Sequence, residues 1–114
     1  MRYRKYSNKK VEVDGIKFDS KLEAKRYREL KAMQEAGEIR ELTLQPVFEL
    51  QPSFRHNGKT HRKITYIADF SYFLKEDDKL VVEDVKGFKT DIYKLKMKLF
   101  LYHYPDVNFI EITK

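Results

Sequence analysis

Apolar and polar positions alternate with a period of two along most of this chain and switch to a helical period in two places. Val11-Glu12-Val13-Asp14-Gly15-Ile16-Lys17-Phe18 alternates around Asp-Gly and predicts a short hairpin closed by a tight turn. Ser20 opens a helix with an apolar stripe of Leu22, Tyr27, Leu30 and Met33, and Gly37 stops it. Residues 38–50 read as a strand region interrupted at Pro46. Residues 52–63, with Asn57-Gly58, read as a loop or hairpin tip. Strands over 64–73 and 80–87 follow, joined by the acidic turn Lys75-Glu76-Asp77-Asp78-Lys79. Thr90 opens a second helix that runs to about Tyr104, with Ile92, Leu95, Leu99 and Tyr102 expected on its inner face. Pro105-Asp106 ends it, and residues 107–112 close the chain as a strand. A helix between strands permits parallel neighbours. The expected fold is therefore α/β: a mixed sheet flanked by helices, in the order helix, three strands, helix, strand, behind an N-terminal hairpin.

Two strands break the apolar rule. Leu80-Val81-Val82-Glu83-Asp84-Val85-Lys86-Gly87 reads as a buried strand, yet Asp84 and Lys86 stand two apart and share a face. Burying such a pair costs several kcal/mol unless something compensates. Asp69 is the lone acid in the apolar and aromatic run 64–73. If these strands form a hairpin, a four-residue loop puts Asp69 opposite Asp84. A two-residue loop puts it opposite Lys86 and diagonal to Asp84. Either brings the groups to roughly 5 to 8 Å. An odd-length loop without a bulge separates them. Glu83 and Val85 point the other way, which favours Asp84 over Glu83 as the partner of Asp69, although a β-bulge would exchange the two.

Close carboxylates repel one another and favour a hard, oxygen-seeking cation such as Mg2+ or Mn2+. Such an ion acidifies a bound water and polarises a phosphate oxygen. Lys86 would orient that water or stabilise charge growing on phosphate oxygens. The competing reading is a structural Asp84–Lys86 pair, with Asp69 satisfied by backbone donors. Glu23 has two readings as well. Ser20-Lys21-Leu22-Glu23 is a capping box, in which Glu23 bonds back to the Ser20 amide. Glu23 also shares a face with Tyr27 and Leu30, which tilts it toward the core and the ion.

Composition narrows the partners. The chain has 114 residues, 41% hydrophobic and 37% charged, which fits one globular domain over 11–114 behind a basic arm, 1–10. It has no cysteine, and the N-terminus lacks the apolar run of a signal peptide, so a reducing cytoplasm and no membrane are expected. The net charge of +6 is concentrated in segments 1–10, 55–63 and 86–98, which points to a polyanion such as DNA. Thr90, Lys94 and Lys98 fall on one helix face with Lys96 beside them, and Lys89, Arg62 and Lys63 extend the basic set. Like charges at i,i+4 cost a bare helix a few tenths of a kcal/mol, a cost that phosphate contact would reverse; a plain solvated face is the alternative. Tyr3, Tyr6 and Phe88 are candidates for base stacking. His56, His61 and His103 are not spaced as metal ligands.

Four blocks carry a resemblance: Phe18-Asp19-Ser20-Lys21-Leu22-Glu23-Ala24, Leu44-Gln45-Pro46, Tyr66-Ile67-Ala68-Asp69-Phe70 and Val82-Glu83-Asp84-Val85-Lys86-Gly87. Their order resembles the PD-(D/E)xK nuclease superfamily, and more closely a small phage and prophage family catalogued mainly as a domain of unknown function. Ala68 stands where the short motif has Pro. The resemblance implies a Mg2+-dependent endonuclease, with Glu23, Asp69 and Asp84 as metal-site acids and Lys86 as the catalytic lysine. It also implies a phage protein in the bacterial cytoplasm, by analogy a homodimer acting on branched DNA such as a Holliday junction. A non-catalytic nucleic-acid-binding accessory of recombination or packaging is the second reading, and a structural phage component the third.

Overall fold

The computed structural model describes residues 10–113, so the arm with Arg2, Arg4, Lys5 and Lys9, and the candidate stacking residues Tyr3 and Tyr6, lie outside the described residues. Asp14 and Gly15 both adopt positive φ, 54° and 77°, and close β1 (Val11–Val13) onto β2 (Ile16–Phe18). Helix α1 (Lys21–Glu35) begins where Ser20 Oγ accepts the Glu23 N–H at 3.1 Å. It ends in a Schellman turn. Gly37 takes φ +79°, its N–H reaches the Gln34 carbonyl at 3.0 Å, and the Glu38 N–H reaches that of Met33 at 2.8 Å.

The next six strands form one long antiparallel ribbon interrupted at matching levels. β3 (Ile39–Leu44) pairs with β8 (Phe70–Leu74), β4 (Val47–Gln51) with β7 (Ile64–Ile67), and β5 (Phe54–His56) with β6 (Lys59–His61). The 38–50 region thus breaks at Pro46 as its sequence indicates. The 64–73 strand breaks too, at Ala68-Asp69, with no proline to announce it. The 52–63 segment is a hairpin closed by Asn57 and Gly58, both at positive φ. β9 (Leu80–Lys86) then pairs antiparallel with β8, α2 (Asp91–His103) crosses over, and β10 (Asn108–Thr113) lies parallel to β9. The central sheet has the order β10-β9-β8-β3, a mixed sheet in an α/β fold behind an N-terminal hairpin.

Two apolar clusters lie on opposite faces. Tyr27 and Leu30 of α1 pack with Phe18, Ile39, Phe70, Tyr72 and Val81. Tyr93 and Phe100 of α2 pack with Leu50, Tyr66, Ala68 and Val82. The interruptions explain how one ribbon serves both. Tyr66 and Ala68 belong to the α2 cluster, while Phe70 and Tyr72, in the same parity, belong to the α1 cluster. In an unbroken strand all four would share a face. The break at Ala68-Asp69 exchanges the faces.

The inner face of α2 differs from the sequence expectation. Ile92, Leu95 and Tyr102 are 62%, 55% and 77% exposed, and of the expected set only Leu99 is half-buried against the core. Tyr93, Met97, Phe100 and Tyr104 face inward instead. This set is also spaced for one helix face, and its rings offer more apolar surface to the aromatic cluster of Phe48, Tyr66 and Phe109. Among the described residues, no helix is long and apolar enough to cross a membrane.

Candidate functional site

The face exchange at Asp69 builds the site. The β8–β9 register pairs Phe70 with Glu83 and Phe73 with Leu80, which is the register of the four-residue-loop alternative, and the ladder ends there, one residue short of Asp69. Asp69 lies at the point where the ribbon changes faces, between α1 on one side and the outer half of β9 on the other. Its N–H donates to the Glu83 carbonyl at 3.1 Å, and its Oδ2 accepts from the Val85 N–H at 2.6 Å. The side chain therefore supplies an acceptor to β9 where its own strand is interrupted.

Alternation along β9 sends neighbouring acids to opposite faces. Glu83 is wholly buried on the α1 side. Arg26 Nε and Nη2 grip its two oxygens at 2.7 Å each, and the Tyr72 hydroxyl donates to it as well. That bidentate contact holds the Arg26 guanidinium far above its ordinary pKa. Glu83 is thus fully engaged and turned away. Asp84, 1% exposed, faces the α2 side, where the Tyr66 hydroxyl donates to Oδ2. Lys86 Nζ is 3.0 Å from Asp84 Oδ1, but no donor is aligned on that oxygen as a hydrogen bond. The Lys86 ammonium rests over the Tyr93 ring, 4.5 Å from its centroid. Tyr93 in turn donates to Glu111 at 2.6 Å.

Glu23 is buried in the first turn of α1 and lines the same cavity as Asp69. Burial raises its pKa, with Asp19 and Asp84 adding to the shift. Burial is also the largest cause that pushes Asp69 up to about 7, with Asp84 and Glu23 adding to it and the Val85 N–H and Lys86 opposing. Asp84 thus lies close enough to both Glu23 and Asp69 for its charge to act on them. A cavity of about 170 Å³ opens beside Glu23 and Asp69, lined also by Lys17, Phe18 and Gln45. A second, of about 250 Å³, opens beside Lys86 and is lined by Thr65, Thr90, Tyr93 and Lys96.

Of the expected capping box, the Ser20 half is present. The Glu23 backbone N–H serves the cap at Ser20, while its carboxyl faces Asp69. Among the described residues, no three acidic or histidine side chains stand at ligand spacing. Val85 N–H and Tyr66 OH engage two of the oxygens that an ion would need. The donor set nevertheless suits a hard cation: all of its atoms are carboxylate oxygens, and Asp84 Oδ1 is buried without a hydrogen-bond donor.

The expected DNA-contact residues are spread more widely. Thr90 caps α2 by accepting the Tyr93 N–H at 3.0 Å, and it lines the Lys86 cavity together with Lys96. Lys89 is paired with Glu111 at 3.0 Å. Lys94, Lys98, Arg62 and Lys63 are exposed and make no ion pair among the described residues. Neither cavity includes them. Tyr66, Tyr93, Gln45 and Arg26 are parts of the site's framework that the pattern of acids and lysines does not reveal. Gln45 and Tyr66 stand in the blocks that carry the resemblance, and Arg26 lies one turn beyond Glu23 on the same helix.

The profile of one protein family, described as a protein of unknown function (DUF1064), matches residues 3–114. No curated protein and no solved structure matches the chain.

Proposed function

This chain belongs to the DUF1064 family of proteins of unknown function, and we propose that it is a divalent-metal-dependent DNA endonuclease of the PD-(D/E)xK type. One observation carries the reading: the Asp84 carboxylate, with Lys86 held against it at 3.0 Å, lies close enough to Glu23 and Asp69 to act on the charge of both. A purely structural network would satisfy each acid, as Arg26 and Tyr72 satisfy Glu83. Here burial, with the Asp84 charge adding to it, raises the pKa of both Glu23 and Asp69, and Asp84 Oδ1 is met by the Lys86 ammonium alone, with no aligned hydrogen bond.

Asp69, Asp84 and Glu23 would hold Mg2+, or Mn2+ in its place. The bound ion would polarise a phosphate oxygen and acidify a water. The chain's own residues do the rest. Lys86, braced by Tyr93, orients the attacking water and stabilises negative charge on the non-bridging oxygens. Hydrolysis forms a phosphorus–oxygen bond to that water and breaks one to a sugar oxygen, which leaves with a proton. Tyr66 fixes the Asp84 carboxylate so that Oδ1, the oxygen facing Lys86, is presented consistently. Thr90, Lys96 and Lys89 near Lys86, with Lys94, Lys98, Arg62 and Lys63 further out, supply phosphate contacts.

The working setting is a phage-infected or prophage-bearing bacterial cytoplasm, with branched DNA as a candidate substrate. A symmetric dimer would present two sites to two strands, and the exposed Ile92, Leu95 and Tyr102 of α2 offer apolar surface for it. A non-catalytic DNA-binding accessory is the second reading. It is favoured by the engagement of Asp84 Oδ2 by Tyr66 and of Asp69 Oδ2 by Val85. Cleavage of four-way junction, linear duplex and single-stranded DNA with Mg2+ or Mn2+, against EDTA and Asp84→Asn, decides between them. Metal-dependent cutting lost in the variant supports the nuclease. Tight binding without cutting on any substrate moves the reading to the accessory.

A further inference from the structure

The β5–β6 hairpin contributes to neither apolar cluster. Every residue from Pro52 to Thr60 is exposed, Phe54 at 45%. A hairpin that buries nothing stabilises no core, so its composition is free to serve a partner. Arg55, Lys59, Arg62 and Lys63 lie between Phe54 and Ile64, with no acid among them. The register Phe54↔His61 and His56↔Lys59 gathers Phe54, His56, Lys59 and His61 on one face. There the Phe54 and His61 rings stack at 4.9 Å and 12°. On the other face the Arg55 guanidinium is folded back onto Thr60 Oγ1 and the Gly58 carbonyl, at 2.9 and 2.7 Å, which stiffens the tip.

We propose that this hairpin is a groove-reading ribbon that seats in the major groove of B-form duplex DNA next to the cleavage site. This deepens the nuclease reading and rests on it for the identity of the site. Paired strands lie about 4.8 Å apart, and such a ribbon fits a major groove about 12 Å wide. Lys59 makes no ion pair among the described residues, so its charge is available to phosphates or base edges. The same ribbon leads through β7 directly to Asp69. The ten residue steps from Lys59 to Asp69 span at most about 35 Å, about one turn of duplex. The hairpin therefore contacts the groove within one turn of the bond to be cut. A-form RNA has a major groove too deep and narrow for it, and a single strand has no groove.

The test is an anisotropy titration in EDTA, so that no cutting occurs. The probes are a DNA duplex of about three turns, an RNA duplex of the same sequence, and the single strand. The wild type should prefer the DNA duplex by at least roughly tenfold. His56→Ala with Lys59→Ala should weaken duplex binding by roughly tenfold and lower the salt slope by about one. Phe54→Ala should weaken it with the slope unchanged. Lys79→Ala, in the turn at the opposite end of the sheet, should match the wild type. The proposal is overturned if the ribbon variants bind duplex as the wild type does, or if RNA duplex or single strand binds as tightly as DNA duplex. Cleavage with Mg2+ is read separately. The expected binding pattern without cutting keeps the ribbon and removes the nuclease; cutting without that pattern does the reverse.

Discussion

Gln45 donates its backbone N–H to the Asp69 carbonyl at 2.9 Å, and one step on, Ala68 donates to the Pro46 carbonyl at 3.1 Å. These two bonds lock the interruptions of both strands at one level. Gln45 takes φ +52°, a conformation most side chains avoid. The exchange of faces at this level lets Asp69 reach Glu23 on one side and Asp84 on the other.

The backbone of Gln45 gives a direct test. Gln45→Val should destabilise the fold by about 1–2 kcal/mol, because a β-branched residue is costly at positive φ. Gln45→Asn should be nearly neutral, since Asn tolerates this region. Urea denaturation of both variants checks this. Equal effects of Val and Asn would mean the break does not depend on this conformation.

Arg26→Met leaves Glu83 buried with only the Tyr72 hydroxyl as donor. A loss of about 3 kcal/mol is expected, and Arg26→Met with Glu83→Met should recover most of it. Equilibrium denaturation of the single and double variants reads the coupling. A single variant as stable as the wild type would contradict the fully engaged network described here.

Asp69 carries the pH dependence. Its folded pKa, about 7, lies above the ordinary 3.8. The folded state therefore binds more protons than the unfolded chain between those values, and stability falls as pH rises from about 4 to 7. In EDTA the melting temperature should drop between pH 5 and pH 8, and Asp69→Asn should flatten that drop. Protons and cations compete for the same oxygens, so Mg2+ should stabilise the protein more at pH 8 than at pH 5. A melting temperature in EDTA that rises over this range would contradict a protonated Asp69.

For the proposed reaction, Lys86→Ala should slow cleavage by roughly 10²- to 10³-fold while Mg2+ binding persists. Asp84→Asn should abolish cleavage and weaken Mg2+ binding by at least about 10- to 100-fold. Calorimetric titration of metal alongside the cleavage assay separates the two effects. Full activity in either variant would remove that residue from the mechanism.

The sequence by itself determined the elements and the candidate chemistry. Capping residues Ser20 and Thr90, the Asp14-Gly15 and Asn57-Gly58 turns, and Gly37 are local signals, because backbone dihedrals at those positions depend on near neighbours. Period-two alternation likewise sent Asp84 and Glu83 to opposite faces of β9 before their partners were known. Tertiary structure decided what depends on distant contacts. The register of β8 on β9, Phe70 against Glu83, chose among the loop alternatives and brought Asp69 to the Glu83–Val85 stretch of β9. The break at Ala68-Asp69 carries no proline or glycine, so only the demand of two apolar clusters on opposite faces reveals it. The α2 face was misread for the same reason. Ile92, Leu95 and Tyr102 on the one hand, and the buried Tyr93 and Phe100 with the half-buried Tyr104 on the other, both make helical stripes, and periodicity cannot choose between them. The aromatic cluster of Phe48, Tyr66 and Phe109, assembled from three separate strands, made that choice.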